Sequence, residues 1–154
     1  VELGCCKVGD TLGFLLGRWR IERWVDDHRS GARGSFEGDV TFVEARSFSG
    51  GTGGDRALYR EVGEMRWGAY TGPAARSLDY ERVPGATIMV HFADGRLFVG
   101  LDLRSGAWRA VHVCGADRYE ITTLVCSRDI VEERWRVRGP AKSYDAVATL
   151  FRSS

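Results

Sequence analysis

The sequence predicts an all-β fold: a single antiparallel up-and-down β-barrel of about nine or ten strands with a short N-terminal helix. Three observations carry this expectation. Apolar and polar residues alternate in run after run, the period of a half-buried strand rather than of a helix. The runs are joined by short turn signals, with no stretch that reads as a helical crossover. The 20 glycines against 3 prolines supply turns without breaking strands. Closing such a meander into a barrel also removes its exposed edges.

The elements follow in chain order. Residues 1–9 read as a tail and 10–153 as one barrel domain. Asp10 is placed to cap a helix over "TLGFLL", and Gly17 to end it in a left-handed conformation. A helix running straight into a long strand would plug one end of the barrel. Residues 18–27 form the first strand, with Trp19, Ile21, Arg23 and Val25 on one face. "GSFEGDVTFVE" places Phe36, Gly38, Val40 and Phe42 together. The glycine-rich 47–56 reads as a mobile loop and, at an open mouth, as a lid. Residues 57–67 give Tyr59, Glu61, Gly63 and Met65 a common face, and 75–82 do so for Leu78, Tyr80 and Arg82. "ATIMVHFADGRLFVGLDL" is a hairpin turning at Asp94-Gly95, and "LDLRSGAWRAVHV" a second one turning near Ser105-Gly106. "YEITTLVCSRDIVEERWRVRG" turns at 127–129 and places Trp135 with Val131, Glu133 and Val137; "SYDAVATLFR" is the closing strand.

Composition limits the partners. The 154 residues amount to one domain, and a net charge of +1 offers no basis for nucleic acid or an anionic membrane. No apolar run is long enough to span a bilayer, and "VELGCCKVGDTLGF" lacks the basic start and apolar stretch of a secretory leader. Cys5, Cys6, Cys114 and Cys126 fit no zinc spacing, so no metal site is expected. They read as free thiols in a reducing cytoplasm. The alternative is a disulfide from the tail to Cys114 or Cys126. The chain is expected to be a monomer or homodimer.

"FLLGRWRIER", a short helix and then Gly-x-Trp opening the first strand, resembles the start of calycin-type barrels: lipocalins, fatty-acid-binding proteins and the nitrobindin-like group. The resemblance implies that Trp19, following Gly17, packs across the closed end beneath an Arg of the last strand, here Arg152. With "LYREVGEM", "VHFADGRLFVGLDL", "HVCGADRYE" and "WRVRGPAKSYDAVATLFR", the chain is similar over nearly its whole length to a small calycin-like family of bacteria and fungi that has no established activity. The paired histidines that hold haem near the end of a nitrobindin barrel are missing, since no His follows His112. No haem or other cofactor is therefore expected.

Two groups of polar residues stand out. Arg23 and Glu61 share faces with apolar neighbours, so burying them requires a partner, either each other or Arg82. In a cavity they would form a polar end that orients a ligand carbonyl or carboxylate. In the second group, a one-residue bulge at Gly115-Ala116 would bring His112, Cys114, Asp117 and Tyr119 to one side. These are a base, a thiol, an orienting carboxylate and a phenol. Asp26, Asp27 and His28 read as a solvated turn, Arg134, Arg136 and Arg138 as a solvated face, and Lys142 as a rim charge.

The leading expectation is a barrel that binds a small, largely apolar molecule with a polar or carbonyl group. Arg23, Glu61, Arg82, His112 and Tyr119 would orient it, Phe36, Phe42 and Trp135 would wrap it, and Cys114, Asp117 and Tyr59 count among the ligand-binding residues. One alternative is a cyclase or isomerase that moves a proton in the same cavity, with His112 or Glu61 as base and Tyr119 or Arg23 stabilising the oxyanion. The other is a partner-binding module with a filled core.

Overall fold

The computed structural model describes residues 6–46, 54–85 and 87–154. A single short helix, α1 (Thr11–Leu15), precedes the strands. They are β1 (Gly17–Asp27), β2 (Arg33–Ala45), β3 (Arg56–Trp67), β4 (Tyr70–Arg82), β5 (Ile88–Phe92), β6 (Leu97–Leu101), β7 (Ala107–Cys114), β8 (Asp117–Ser127), β9 (Ile130–Arg138) and β10 (Ser143–Arg152). They form one 10-stranded sheet in the order β6-β5-β4-β3-β2-β1-β10-β9-β8-β7. Every pairing is antiparallel, and the first and last strands lie side by side, with Trp19 opposite Arg152. The result is the expected all-β barrel, nearly closed on itself.

The alternation read from sequence sets the interior. Ile21, Phe36, Val40, Phe42, Tyr59, Leu78, Val131 and Leu150 are all buried. One end is plugged by α1, whose Leu12 and Leu15 join the core. Asp10 caps the helix by accepting the Gly13 N–H, and Gly17 follows it at a φ of 118°, a region that favours glycine. Trp19 is fully buried there and donates its indole N–H to the Leu15 carbonyl at 2.8 Å. The Arg152 guanidinium lies 4.0 Å from the indole centroid and donates to the carbonyls of Phe14 and Arg128. The Trp–Arg closure implied by the calycin resemblance is thus present.

Three local readings need correction. Residues 101–107 do not form a hairpin, because no ladder joins β6 to β7 among the described residues. The connecting segment turns inward instead: Leu103 is fully buried and its N–H donates to the Thr11 hydroxyl at 2.9 Å. Trp108 bridges the resulting seam by donating its indole N–H to the Gly100 carbonyl at 2.8 Å. Gly115-Ala116 is a two-residue turn, not a bulge, with Gly115 at a φ of 59°. Strand β4 begins at Tyr70, earlier than its pattern suggested, because its first half has no partner on the β5 side and so tolerates Pro73. The segment 47–53, and with it most of the proposed lid, lies outside the described residues, as does Cys5.

A pair of glycines lets the wall bend. Gly38 and Gly63 face each other across β2 and β3. A Cβ on Gly63 would fall 2.1 Å from the Glu37 carbonyl oxygen, and one on Gly38 would fall 2.3 Å from that of Val62. Both obstacles are backbone, so neither can swing aside. Gly63→Ala is therefore expected to cost about 2 kcal/mol or more, as overpacking does. Urea unfolding should show a lower midpoint at unchanged slope.

Candidate functional site

The ladder itself assembles a layer of charge across the barrel. Glu61 on β3 lies directly opposite Arg76 on β4, and a cross-strand pair of opposite charges is mutually favourable. Arg23 on β1 reaches the same carboxylate past β2, donating from Nη1 at 3.0 Å and from Nη2 at 2.8 Å. This is the bidentate fork that a guanidinium makes best. The Tyr59 hydroxyl donates to Glu61 Oε2. Arg76 Nε stands 3.4 Å from Glu61 Oε1, an ion pair outside hydrogen-bond geometry. The Glu61 side chain is only 5% exposed, Arg23 18% and Arg76 34%, so exposure rises from the carboxylate outward.

The electrostatics follow from this geometry. Burial pushes the Glu61 pKa up, but the hydrogen bonds from Arg23, the charges of Arg76 and Arg23, and the Tyr59 hydroxyl outweigh it and bring the pKa below the ordinary glutamate value. Glu61 is therefore a carboxylate, and a weak base. Burial and the neighbouring Glu61 charge push the Tyr59 phenol up, keeping it a protonated donor.

This layer divides the interior. Arg23, Arg76 and Trp135 line spaces on both sides of it. Towards the helical plug is a chamber among Phe42, Tyr80, Leu78 and Val131, with about 60 Å³ of free space. Towards the open end is a cup of about 790 Å³, walled by Val25, Met65, Trp67, Tyr144 and Ala146 and rimmed by Arg29 and Lys142. The Arg76 guanidinium lies 5.6 Å from the Trp135 ring centroid and 5.9 Å from that of Tyr59. Its donors make no hydrogen bond to any described residue, and Nε is buried.

Residues 15–153 match DUF6314, a family of unknown function. The chain belongs to that family. No curated protein matches it in sequence. Among solved structures, this DUF6314 protein is similar to an S-type phycobiliprotein lyase from Guillardia theta, at a TM-score of 0.63 and 8% identity, over 93% of this chain and 90% of that one. It is also similar to a DUF3598-family protein of unknown function from Nostoc punctiforme, at a TM-score of 0.58 and 13% identity. There it covers 93% of this chain but only 49% of that one. At these identities the likeness is one of fold.

Arg23, Glu61, Tyr59 and Trp135 come together in the DUF6314 barrel as described, with Phe36 beneath the Arg23 guanidinium at 5.4 Å and Phe42 edge-on to Tyr59. Arg82 does not join them. It sits at the plugged end, donating to the Asp10 carboxylate at 2.8 and 3.1 Å. The second group shares a face because the β7–β8 register sets His112 opposite Tyr119 and Cys114 opposite Asp117. Among the described residues, however, no hydrogen bond links His112, Cys114 and Asp117 to one another. His112 lies against the rings of Phe92, Phe98 and Tyr119. Asp117 pairs with Lys142 at 3.3 Å, and Lys142 donates to the Tyr119 hydroxyl at 2.9 Å. Cys114 is an exposed free thiol. The Asp27 turn is tied by Ser30 and Arg29, and His28 meets Asp145 at 3.0 Å.

Arg76 is the residue that sequence reasoning missed. It has the same strand parity as Leu78, Tyr80 and Arg82, so the alternation that singled out Arg82 includes it. What the sequence lacks is the register that sets it against Glu61.

Removing the carboxylate should expose its role. Glu61→Gln leaves two guanidiniums facing a neutral amide and is expected to cost about 3 kcal/mol near neutral pH. Because the folded pKa lies below the unfolded one, the charged carboxylate contributes stability above the unfolded value and loses it as pH falls through the folded value. The stability gap between wild type and Glu61→Gln should therefore be widest above about pH 5 and shrink below about pH 4. Chemical denaturation across that range measures it.

Proposed function

We propose that this DUF6314 protein binds a small, largely apolar molecule whose anionic or carbonyl oxygen rests on Arg76 at the floor of the cup. One observation carries the reading: the Arg76 guanidinium lines an apolar-walled cavity, is about a third exposed, and donates no hydrogen bond to any described residue. The exposed edge of a guanidinium at the floor of an apolar-walled cavity suits an anionic or carbonyl oxygen. The binding volume is the cup; the inner chamber is too small for a ligand of the usual 300–1,000 Å³ scale. The calycin-like features at Gly17, Trp19 and Arg152 support kinship with barrels of that kind. The exposed thiol of Cys114 supports a reducing compartment such as the cytoplasm.

The other two readings have less behind them. Glu61 is held ionised by its partners, which removes its value as a base, and His112 lines neither the chamber nor the cup. A module that only docks partners would have no use for a cup of this size.

The test is Arg76→Leu, which leaves the Arg23–Glu61 fork in place. Intrinsic fluorescence, read from Trp67 and Trp135, should respond saturably to members of a panel of small apolar acids and carbonyl compounds. Affinity should fall at least about tenfold in the variant, the loss of one charge-assisted hydrogen bond. Equal affinities in the two proteins would take Arg76 out of the site.

A further inference from the structure

The shape of the cup narrows the ligand further. We infer that the ligand is a compact, ring-bearing carboxylic acid, an aryl or fused-ring acid seated acid-down on Arg76, rather than a long-chain acid. The inference rests on the binding reading above and adds the chemical class.

Depth is the first ground. An extended alkyl chain gains affinity from each methylene it buries, so it needs an enclosed channel along its length. Below Arg76 the described residues leave no such channel. The chamber has about 60 Å³ of free space, room for a few water molecules. Arg23 and Arg76 line both it and the cup, so a chain pushed between them would disturb the buried, bidentate Arg23–Glu61 ion pair. A ligand whose acid reaches Arg76 must therefore carry its apolar body upward, into a space that is broad and open rather than narrow and deep.

The walls of that space are the second ground. Trp67 rises from β3, Trp135 from β9 and Tyr144 from β10. Aromatic walls favour ring ligands, which meet them face-offset or edge-on. Trp67 lays its indole against Gly34, where a Cβ would fall 2.2 Å from Cε3. Only a residue without a side chain permits that packing. An indole wall suits a flat ring more than a flexible chain.

The floor is the third ground. Arg76 stacks on Trp135, so the aromatic surface and the unspent donors are contiguous. A carboxylate attached directly to a ring, or one bond removed from it, would meet both at once. The planar fork of a guanidinium matches that group. An acid at the end of a chain would engage the donors and leave the indoles uncovered.

The experiment compares naphthoate with decanoate by isothermal titration calorimetry on the full-length protein, together with Arg76→Leu and Trp67→Leu. Naphthoate should bind one site per chain, at least tenfold tighter than decanoate. Arg76→Leu should weaken it at least tenfold. Trp67→Leu, which keeps an apolar wall, should weaken naphthoate severalfold and leave decanoate unchanged. Circular dichroism confirms that both variants are folded. Decanoate binding as tightly as naphthoate, and still dependent on Arg76, would overturn the ring-acid class while leaving the cup reading intact. Naphthoate binding that ignores Arg76 would overturn the acid-down pose. Failure of both acids to bind at millimolar concentration would overturn this class and count against the cup itself.

Discussion

The Glu61 carboxylate is the constraint around which the barrel interior is arranged. A carboxylate with 5% of its side chain exposed cannot stay charged without partners, and a neutral one would waste its hydrogen-bonding capacity. Arg23 solves the problem with a bidentate fork, Tyr59 adds a hydroxyl, and Arg76 adds a second positive charge. Each partner comes from a different place in the chain but has inward parity. The arrangement costs desolvation that an apolar layer would avoid. What it provides is a rigid polar floor at mid-barrel, with charge on one side facing open space.

The two halves of the barrel consequently do different work. Below the floor, Phe42, Tyr59 and Tyr80 meet edge-on or tilted, and Leu12, Leu15 and Leu103 fill the plugged end. This half carries the stabilising burial. The plug is locked by Arg152, which satisfies carbonyls exposed at the end of α1 while covering Trp19. Because a short helix cannot close its own terminus, those carbonyls need an outside donor. Above the floor, the side chains retreat to the wall and the interior opens. Stability concentrated at one end leaves the other free to hold something.

The fold was legible in the sequence because its signal is local. Strand parity, glycine turns and the Asp10 cap are each set within a few residues, and they held for the helix and for nearly every strand. The exceptions are long-range. Segment 101–107 contains a good turn, but Leu103 is captured by Thr11, more than ninety residues away in sequence, and the hairpin gives way. The candidate site was half legible for the same reason. Parity identified Arg23 and Glu61 as charges needing partners. Which arginine answers Glu61 depends on the β3–β4 register, and that selects Arg76 while sending Arg82 to Asp10. The cluster at His112 shows the converse. Its residues do share a face, yet shared parity says nothing about side-chain reach, and Lys142 from the β9–β10 connection takes both Asp117 and Tyr119.

The contrast between the two interior arginines argues for where recognition happens. Arg23 spends a two-bond fork on Glu61 and lays its face on Phe36. Arg76 has the same partner, but a weaker hold on it and greater exposure to the cup. Arg76 also balances Glu133, a second carboxylate lining the chamber whose charge favours both guanidiniums. The second arginine makes physical sense when part of its hydrogen bonding is completed from the cup side. On that reading Glu61 has a further use: it fixes the orientation of Arg76 before anything arrives, so that little ordering cost remains when an oxygen meets it.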